Sequence, residues 1–198
     1  MNELAVANTL VVSQKKEWGE IVTGFETVNR YVVFDEHGSM LYDAQEESGS
    51  MLWRLILKAL RPFSIVLSTP NRRLALFVER PFRFYFHRIV VKTPEGKLLG
   101  TVERQWSWLV RLFRVSDAGG NEFCRLHGPL FRPWTFEIRQ HDRRVGKITK
   151  KWSGLLKEGF SDADNFAALL PPQMTPEQKS VLLGAVFLID FVFFENSS

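Results

Sequence analysis

The sequence predicts a mainly β protein in which one antiparallel sheet closes into a barrel around a hydrophobic C-terminal helix. The first observation is that the run 181–194 is apolar except for Asp190. The second is a series of five hairpin patterns upstream of that run. A helix that is apolar on every face must be enclosed by protein, and a closed barrel has a lumen to fill. Both observations fit a single domain over residues 1–198.

Five hairpins are predicted where two short apolar or alternating runs flank a cluster of turn-forming residues. The paired runs are 31–34 with 40–42, 65–67 with 74–78, 89–91 with 98–102, 112–115 with 123–126, and 136–138 with 145–148. The stretch 100–107 also repeats at 146–153 in its Gly, β-branched, Trp and Ser positions. These patterns indicate a repeated antiparallel meander, and closing such a sheet removes its edges.

The C-terminal apolar run is predicted to be helical because a helix start precedes it. Thr175 suits the N-cap, Pro176 the first helical position, and Gln178 the partner of a capping box. The run would be roughly 21 Å long, shorter than the roughly 30 Å hydrocarbon layer of a bilayer. A carboxylate at Asp190 would also be costly in lipid. A single membrane span is therefore the less favoured alternative to a barrel core.

Composition limits the classes of function. The chain has 198 residues, 45% of them hydrophobic, which is enough to bury a large core. Its net charge of +4 suits an anionic membrane surface or nucleic acid, and equally an ordinary solvated surface. The single cysteine, Cys124, excludes an internal disulfide and a multi-cysteine zinc site. No basic stretch precedes an apolar run near the N-terminus, so we expect no signal peptide and a cytoplasmic location.

Motifs of catalysis are lacking in the sequence. It contains no G-x-S-x-G elbow, phosphate loop, H-E-x-x-H or Rossmann glycine pattern. The histidines are scattered, and solvated or structural roles are favoured for them over a metal site. They are His37, His87, His127 and His141. A protein that is not an enzyme is therefore the favoured class.

Four stretches resemble the phospholipid scramblase family and occur in the family's order. They are FETVNRY at 25–31, GKITKKWSG at 146–154, SDADNF at 161–166 and FLIDFVFFE at 187–195. The similarity extends from about Leu10 to Glu195. It implies a tubby-like barrel of about twelve antiparallel strands around the C-terminal helix. It also implies bidirectional, ATP-independent movement of phospholipids between leaflets, stimulated by calcium and without covalent chemistry.

The resemblance also implies a calcium segment, which maps onto Asp162, Asp164, Phe166, Ala168, Leu170 and Gln173. Calcium takes six to eight oxygen ligands, and a loop of this kind ends on a bidentate carboxylate. Only two carboxylates remain here, because Gln173 stands at the closing position. We therefore expect weak Ca²⁺ binding at most. The alternative is that Asp-Ala-Asp-Asn is an ordinary turn whose side chains bond nearby amides.

Three segments that mix aromatic and basic residues stand where the family carries cysteine-rich loops. In the first, basic side chains fall at helical spacings on an otherwise apolar stretch, which is typical of an interfacial helix on anionic lipid. The alternative for all three is that these residues pack against the outside of the barrel or belong to strands. The candidate membrane-binding residues are Trp53, Arg54, Leu57, Lys58 and Arg61, then Phe84, Tyr85 and Phe86, then Phe131 and Trp134.

A basic segment comprises Lys147, Lys150 and Lys151. In family members the corresponding stretch resembles a nuclear import signal, and its cations could also meet phosphates. A solvated strand face beside a packed Trp is the favoured interpretation.

Taken together, the sequence predicts a scramblase-like protein, either calcium-assisted or calcium-independent, that is peripheral at the cytoplasmic leaflet. Its partner would be an anionic phospholipid membrane, with no evident small-molecule substrate. Two alternatives stay open: a non-catalytic lipid-binding adaptor of the tubby type that recognises phosphoinositides, and a nucleic-acid-binding regulator.

Overall fold

Twelve antiparallel strands form a closed barrel in the part of the chain that the structure describes. The structure is a computed structural model that describes residues 2–15, 29–47, 62–81, 87–150 and 165–194. The elements in chain order are α1 Asn2–Val6, β1 Thr9–Lys15, β2 Arg30–Phe34, β3 Met40–Glu46, β4 Phe63–Ser68, β5 Leu74–Arg80, β6 Arg88–Lys92, β7 Leu98–Gln105, β8 Val110–Asp117, β9 Glu122–Pro129, β10 Thr135–Gln140, β11 Arg143–Lys150, β12 Asn165–Leu169 and α2 Pro176–Phe193. The tubby-like barrel predicted from the sequence is thus confirmed.

All five predicted hairpins are present, as the pairs from β2–β3 to β10–β11. Sequence patterns alone did not identify β1 and β12, which pair with each other from Thr9↔Leu169 to Ser13↔Asn165 and close the barrel. Four consecutive residues are buried in each of these two strands. Because both faces are covered, the strands lack the alternation that marks a half-exposed strand.

The two ends of the barrel differ in their connections. At one end, which we call the turn end, short polar turns join the strands of the five hairpins, and glycines with positive φ occur at Gly38, Gly96 and Gly120. The other end, which we call the loop end, carries the 106–109 and 130–134 connections. The described chain also stops and resumes at the loop end around residues 16–28, 48–61, 82–86 and 151–164. The strand ends that flank the longer segments of the sequence therefore all lie at the loop end of the barrel.

Helix α2 fills the lumen. Its predicted capping box is confirmed, because the Thr175 side chain accepts from the Gln178 amide and the Gln178 side chain accepts from the Thr175 amide. Every residue from Lys179 to Phe191 is buried, which requires protein on all sides of the helix. Among the described residues, no helix has the length and apolar character needed to cross a membrane.

Close contacts between the helix and the sheet, and between neighbouring strands, depend on glycines. A Cβ added at Gly184 of α2 would lie 2.7 Å from the Val91 side chain of β6. A Cβ at Gly100 would lie 2.3 Å from the Ser116 carbonyl oxygen, and one at Gly146 would lie 2.3 Å from the Leu169 carbonyl oxygen. Gly100 and Gly146 occupy equivalent positions of the sequence repeat, so the repeat preserves a close strand-to-strand contact.

Removal of residues 175–198 should leave the barrel without its core. The inward-facing side chains would then meet water, and we expect aggregated, protease-sensitive protein because each large buried side chain contributes about 1.5–3 kcal/mol. Size-exclusion chromatography and limited proteolysis would show this. Removal of residues 196–198 alone is the matched control and should leave a protein that unfolds cooperatively, like the parent. A soluble, cooperatively folded 1–174 fragment would contradict the assignment of α2 as the core.

Candidate functional site

The loop end gathers large apolar side chains at the surface. Two connections carry them, one between β7 and β8 and one between β9 and β10. The exposed residues are Trp106, Trp108 and Leu109 in the first connection and Leu130, Phe131 and Trp134 in the second. Phe131 is 83% exposed and Trp134 is 47% exposed, so both predicted membrane-binding residues of this segment are accessible. Membrane contact itself stays a prediction.

Trp106, Trp108 and Leu109 were not among the residues predicted from the sequence. A signal was present, because the connection Trp-Ser-Trp-Leu lacks the Gly, Pro, Asn or Asp that marks a hairpin turn. In the structure these three side chains are exposed between β7 and β8. The other predicted membrane-binding residues, at 53–61 and 84–86, lie outside the described residues.

Arg111, at the start of β8, holds the β9–β10 connection. Its guanidinium donates to the carbonyl oxygens of Gly128 at 3.4 Å, Pro129 at 3.3 Å, Arg132 at 3.0 Å and Pro133 at 2.7 Å. A Cβ at Gly128 would lie 3.1 Å from Arg111 Nε and 2.5 Å from the Phe136 ring, so glycine is needed there. Burial, followed by the charge of Arg104, lowers the pKa of Arg111. One cation thus fixes the shape of a whole surface connection.

Cations from the strands surround the C-terminal turn of α2. Each guanidinium or ammonium lies over an aromatic ring of the helix end. The contacts to ring centroids are Arg80 over Phe191 at 4.6 Å, Arg104 over Phe193 at 5.6 Å, Arg111 over Phe193 at 5.1 Å and Lys150 over Phe194 at 4.3 Å. Positive charge is favourable here because the C-terminus of a helix carries a partial negative charge, and cation–π contact adds to that.

The prediction for Lys150 of the basic segment is wrong. It was expected on a solvated strand face, but it is buried and its Nζ lies 3.8 Å from an Asp190 carboxylate oxygen. Lys147 is partly buried in β11, and Lys151 lies outside the described residues. The expectation failed because strand β11 turns Lys150 towards the end of α2, which carries the only carboxylate of the apolar run. Lys150 is therefore a buried cation that lies beside the Asp190 carboxylate at the end of α2.

The buried carboxylate of Asp190 is satisfied within the barrel. The Tyr31 hydroxyl donates to Asp190 Oδ2 at 2.9 Å, in addition to the nearby Lys150 ammonium. The Tyr31 ring also packs edge-on against Phe187, one turn earlier in α2. Removing one partner of such a buried pair leaves an uncompensated charge, which commonly costs about 3–5 kcal/mol.

His87 lies beside Arg80 at the same end. The Arg80 Nη2 and His87 Nδ1 atoms are hydrogen-bonded, so a neutral imidazole accepts from the guanidinium. Burial, followed by the charges of Arg80 and Arg104, lowers the pKa of His87 to about 4. The histidine is therefore a structural acceptor for Arg80, in line with the structural role expected from the sequence.

The structure describes only part of the predicted calcium segment. Phe166 and Ala168 lie in β12, where Ala168 pairs with Leu10 and Ile148, and Leu170 is buried. Gln173 is exposed beyond β12 at the turn end, and Asp162 and Asp164 lie outside the described residues.

The described residues of this segment follow strand β12, whose residues 165–169 extend over about 13 Å. Calcium binding at Asp162 and Asp164 stays a prediction. Within the described residues, no group of three or more His, Cys, Asp or Glu side chains could hold a metal ion.

Comparison with known proteins gives a consistent result. A family model described as Scramblase matches residues 1–196. The chain is 33% identical to phospholipid scramblase 1 of Mus musculus and 31% identical to that of Homo sapiens, over 98% of its own length in both cases. It spans 63% and 65% of the length of those two relatives.

Two further comparisons extend this result. Phospholipid scramblase 2 of Bos taurus is 32% identical over 97% of this chain and 70% of its own. A crystal structure of a protein from Arabidopsis thaliana matches with a TM-score of 0.53 and 14% identity, over 94% of this chain and 93% of that one. At that identity, the likeness concerns the fold alone.

Replacement of His87 should flatten the dependence of stability on pH between about 6.5 and 4. In the folded protein the pKa of His87 is about 4, below the ordinary 6.5, so the unfolded chain binds more protons in this window. Stability contributed by the neutral imidazole is present above 6.5 and is lost as pH falls. His87→Gln keeps an acceptor for Arg80 but cannot titrate, so its melting temperature should fall less over this window. Equal slopes for variant and parent would contradict this.

Proposed function

The chain belongs to the Scramblase family, and on that premise we propose that it moves phospholipids between membrane leaflets. The movement would be bidirectional and independent of ATP and of covalent chemistry. The family match over residues 1–196 is the observation that supports this proposal most directly. The protein would act while peripheral at the cytoplasmic leaflet, with anionic phospholipids as partners.

The filled lumen limits how lipid could move. Residues 179–191 of α2 occupy the inside of the barrel and are buried. Protein interiors are packed as densely as organic crystals, so an acyl chain has no room beside the helix. A lipid would therefore move along the outside of the barrel, through bilayer that the bound protein perturbs.

The loop end is the surface that would meet the membrane. β3 ends at Glu46 and β4 begins at Phe63, so the segment with Trp53, Arg54, Leu57, Lys58 and Arg61 is tethered there. β5 ends at Arg80 and β6 begins at Arg88, which tethers Phe84, Tyr85 and Phe86 at the same end. Phe131 and Trp134 lie there as well. The strand ends that flank all three predicted membrane-binding segments thus lie at the loop end, which supports a single membrane-facing end.

The filled lumen also favours one alternative function. A barrel without an internal path fits a lipid-binding adaptor that binds the membrane without moving lipid. The nucleic-acid alternative has less support, because Lys150 of the basic segment faces Asp190 inside the protein.

A vesicle assay separates the scramblase from the adaptor. The protein is added to phosphatidylcholine–phosphatidylserine vesicles that carry a fluorescent lipid in both leaflets, without ATP and with or without calcium. A membrane-impermeant reductant then bleaches the outer leaflet. A scramblase should expose the inner-leaflet label to bleaching, whereas vesicles without protein should retain it. Vesicle binding without loss of the inner label would indicate the adaptor. If the protein neither binds the vesicles nor causes loss of the inner label, both proposals are overturned.

Calcium binding, which we propose to be weak, should depend on Asp162 and Asp164 alone. Two carboxylates carry too little charge for a tight site, so calorimetry should show nothing tighter than about 100 μM. Asp162→Ala and Asp164→Ala should abolish the heat of binding. Gln173→Ala is the matched control and should leave it unchanged, because Gln173 lies at the opposite end of the barrel. A submicromolar site, or one that Gln173→Ala removes, would contradict this arrangement.

A further inference from the structure

We propose that the 106–109 and 130–134 connections form one preshaped surface that inserts into the headgroup boundary of an anionic membrane. We call this surface the aromatic edge; it consists of Trp106, Trp108, Leu109, Leu130, Phe131 and Trp134. The inference rests on the proposed function, because it names how the loop end binds lipid. It adds the β7–β8 connection to the segments already considered.

The two connections are direct neighbours. Strands β7, β8, β9 and β10 are consecutive in the barrel, and β8 pairs with β9 from Val110↔Pro129 onwards. Val110 follows the first connection, and Pro129 precedes the second. Paired residues of antiparallel strands lie about 4.5–5.5 Å apart. The apolar side chains of both connections therefore project from one continuous rim.

The aromatic edge is exposed to an unusual degree for such large side chains. Trp108 is 79% exposed, Leu109 is 80% exposed and Phe131 is 83% exposed. Clusters of exposed large apolar side chains mark an interaction surface, whereas scattered ones do not. Trp and Tyr are enriched at membrane–water interfaces because one part of the ring system is apolar and another part is polar.

The aromatic edge is held in shape before any partner binds. Trp106 and Trp108 contact each other edge to face, with ring centroids 4.7 Å apart. Arg111 fixes the second connection through four carbonyl oxygens, and the turn closes through the Arg132 amide to the Pro129 oxygen at 3.1 Å. Preshaped groups lose little conformational entropy on binding, so more of their burial appears as affinity.

Charge distinguishes a lipid surface from a second copy of the chain. Stretches 104–111 and 128–135 contain Arg104, Arg111 and Arg132 and no Asp or Glu. The turns at the opposite end mix both signs, because the acids Asp35, Glu36, Glu95, Asp117 and Asp142 stand beside the basic residues Arg72, Arg73, Lys97, Arg143 and Arg144. A two-fold dimer through the aromatic edge would place arginines against arginines, because both subunits would use the same patch. An anionic bilayer offers the complementary charge and an apolar layer beneath it.

The test compares three replacements at each end of the barrel. The loop-end variant carries Trp106→Ser, Trp108→Ser and Phe131→Ser. Its matched control carries replacements of three exposed apolar residues at the turn end, Val6→Ser, Met40→Ser and Leu74→Ser. Co-sedimentation with phosphatidylcholine–phosphatidylserine vesicles and with phosphatidylcholine vesicles gives the partition coefficient of each full-length protein.

We expect the loop-end variant to bind anionic vesicles about a thousandfold more weakly than the parent, since partial burial of each of the three large rings is worth about tenfold. The turn-end variant should bind like the parent. Thermal unfolding checks that each variant is folded. If the triple variant does not fold, Trp108→Ser and Phe131→Ser are tested singly, and each should weaken binding about tenfold.

A third variant separates this inference from the proposed function. It replaces Trp53, Arg54, Lys58 and Arg61 with Ser in the connection between β3 and β4. If this variant loses binding while a folded loop-end variant binds like the parent, the inference is overturned and the proposed function stands. A loop-end variant that alters only the oligomeric state would also overturn it, in favour of a second copy of the chain. A parent that binds no vesicle would overturn both.

Discussion

Helix α2 presents apolar side chains in every direction, and it is therefore stable only where protein surrounds it. This requirement decides the closure of the sheet, since a barrel is the arrangement of strands that encloses a helix and leaves no edge. It also decides where glycine is needed, because Gly184 and Gly100 admit contacts that a Cβ would block. The N-terminal turn is held by the Thr175 cap and by Lys179, whose ammonium donates to the Ala5 and Ala7 carbonyl oxygens at 3.2 and 2.7 Å. In this way α1 is tied to the helix where it enters the barrel.

The same helix organises the loop end through its C-terminus. The last turn carries Asp190, Phe191, Phe193 and Phe194, and the strands place cations over those rings. Arg111 takes part in this arrangement and, with the same guanidinium, holds the surface connection 130–134. The Arg111 side chain thus links the packing at the end of α2 to the shape of this exposed connection. Because the helix end needs cations and the cations shape the connections, the basic and aromatic character of this end follows from the enclosure of α2.

The sequence predicted those parts of the fold whose physics is local. Hairpins with polar turns, the capping box at Thr175 and the apolar helix all leave short-range patterns, and each is confirmed. Strands β1 and β12 leave no such pattern, because their burial depends on partners more than 150 positions away in the chain. The burial of Lys150 likewise depends on Asp190, which only the closed barrel brings near. The predicted calcium segment includes β12, so its members Phe166 and Ala168 lie within a paired strand, which the short-range pattern did not indicate.

A filled barrel also constrains what can change when the protein meets a membrane. Release of α2 into lipid would expose the inward faces of the strands and remove Asp190 from the Tyr31 hydroxyl and the Lys150 ammonium. Each large apolar side chain lost from the core costs about 1.5–3 kcal/mol, and an unpaired carboxylate in lipid adds several more. The aromatic edge needs no such rearrangement, because its rings are already exposed and its two connections are already fixed. Under the function proposed above, contact through the aromatic edge would therefore perturb a bilayer at low energetic cost, since it would leave the core intact.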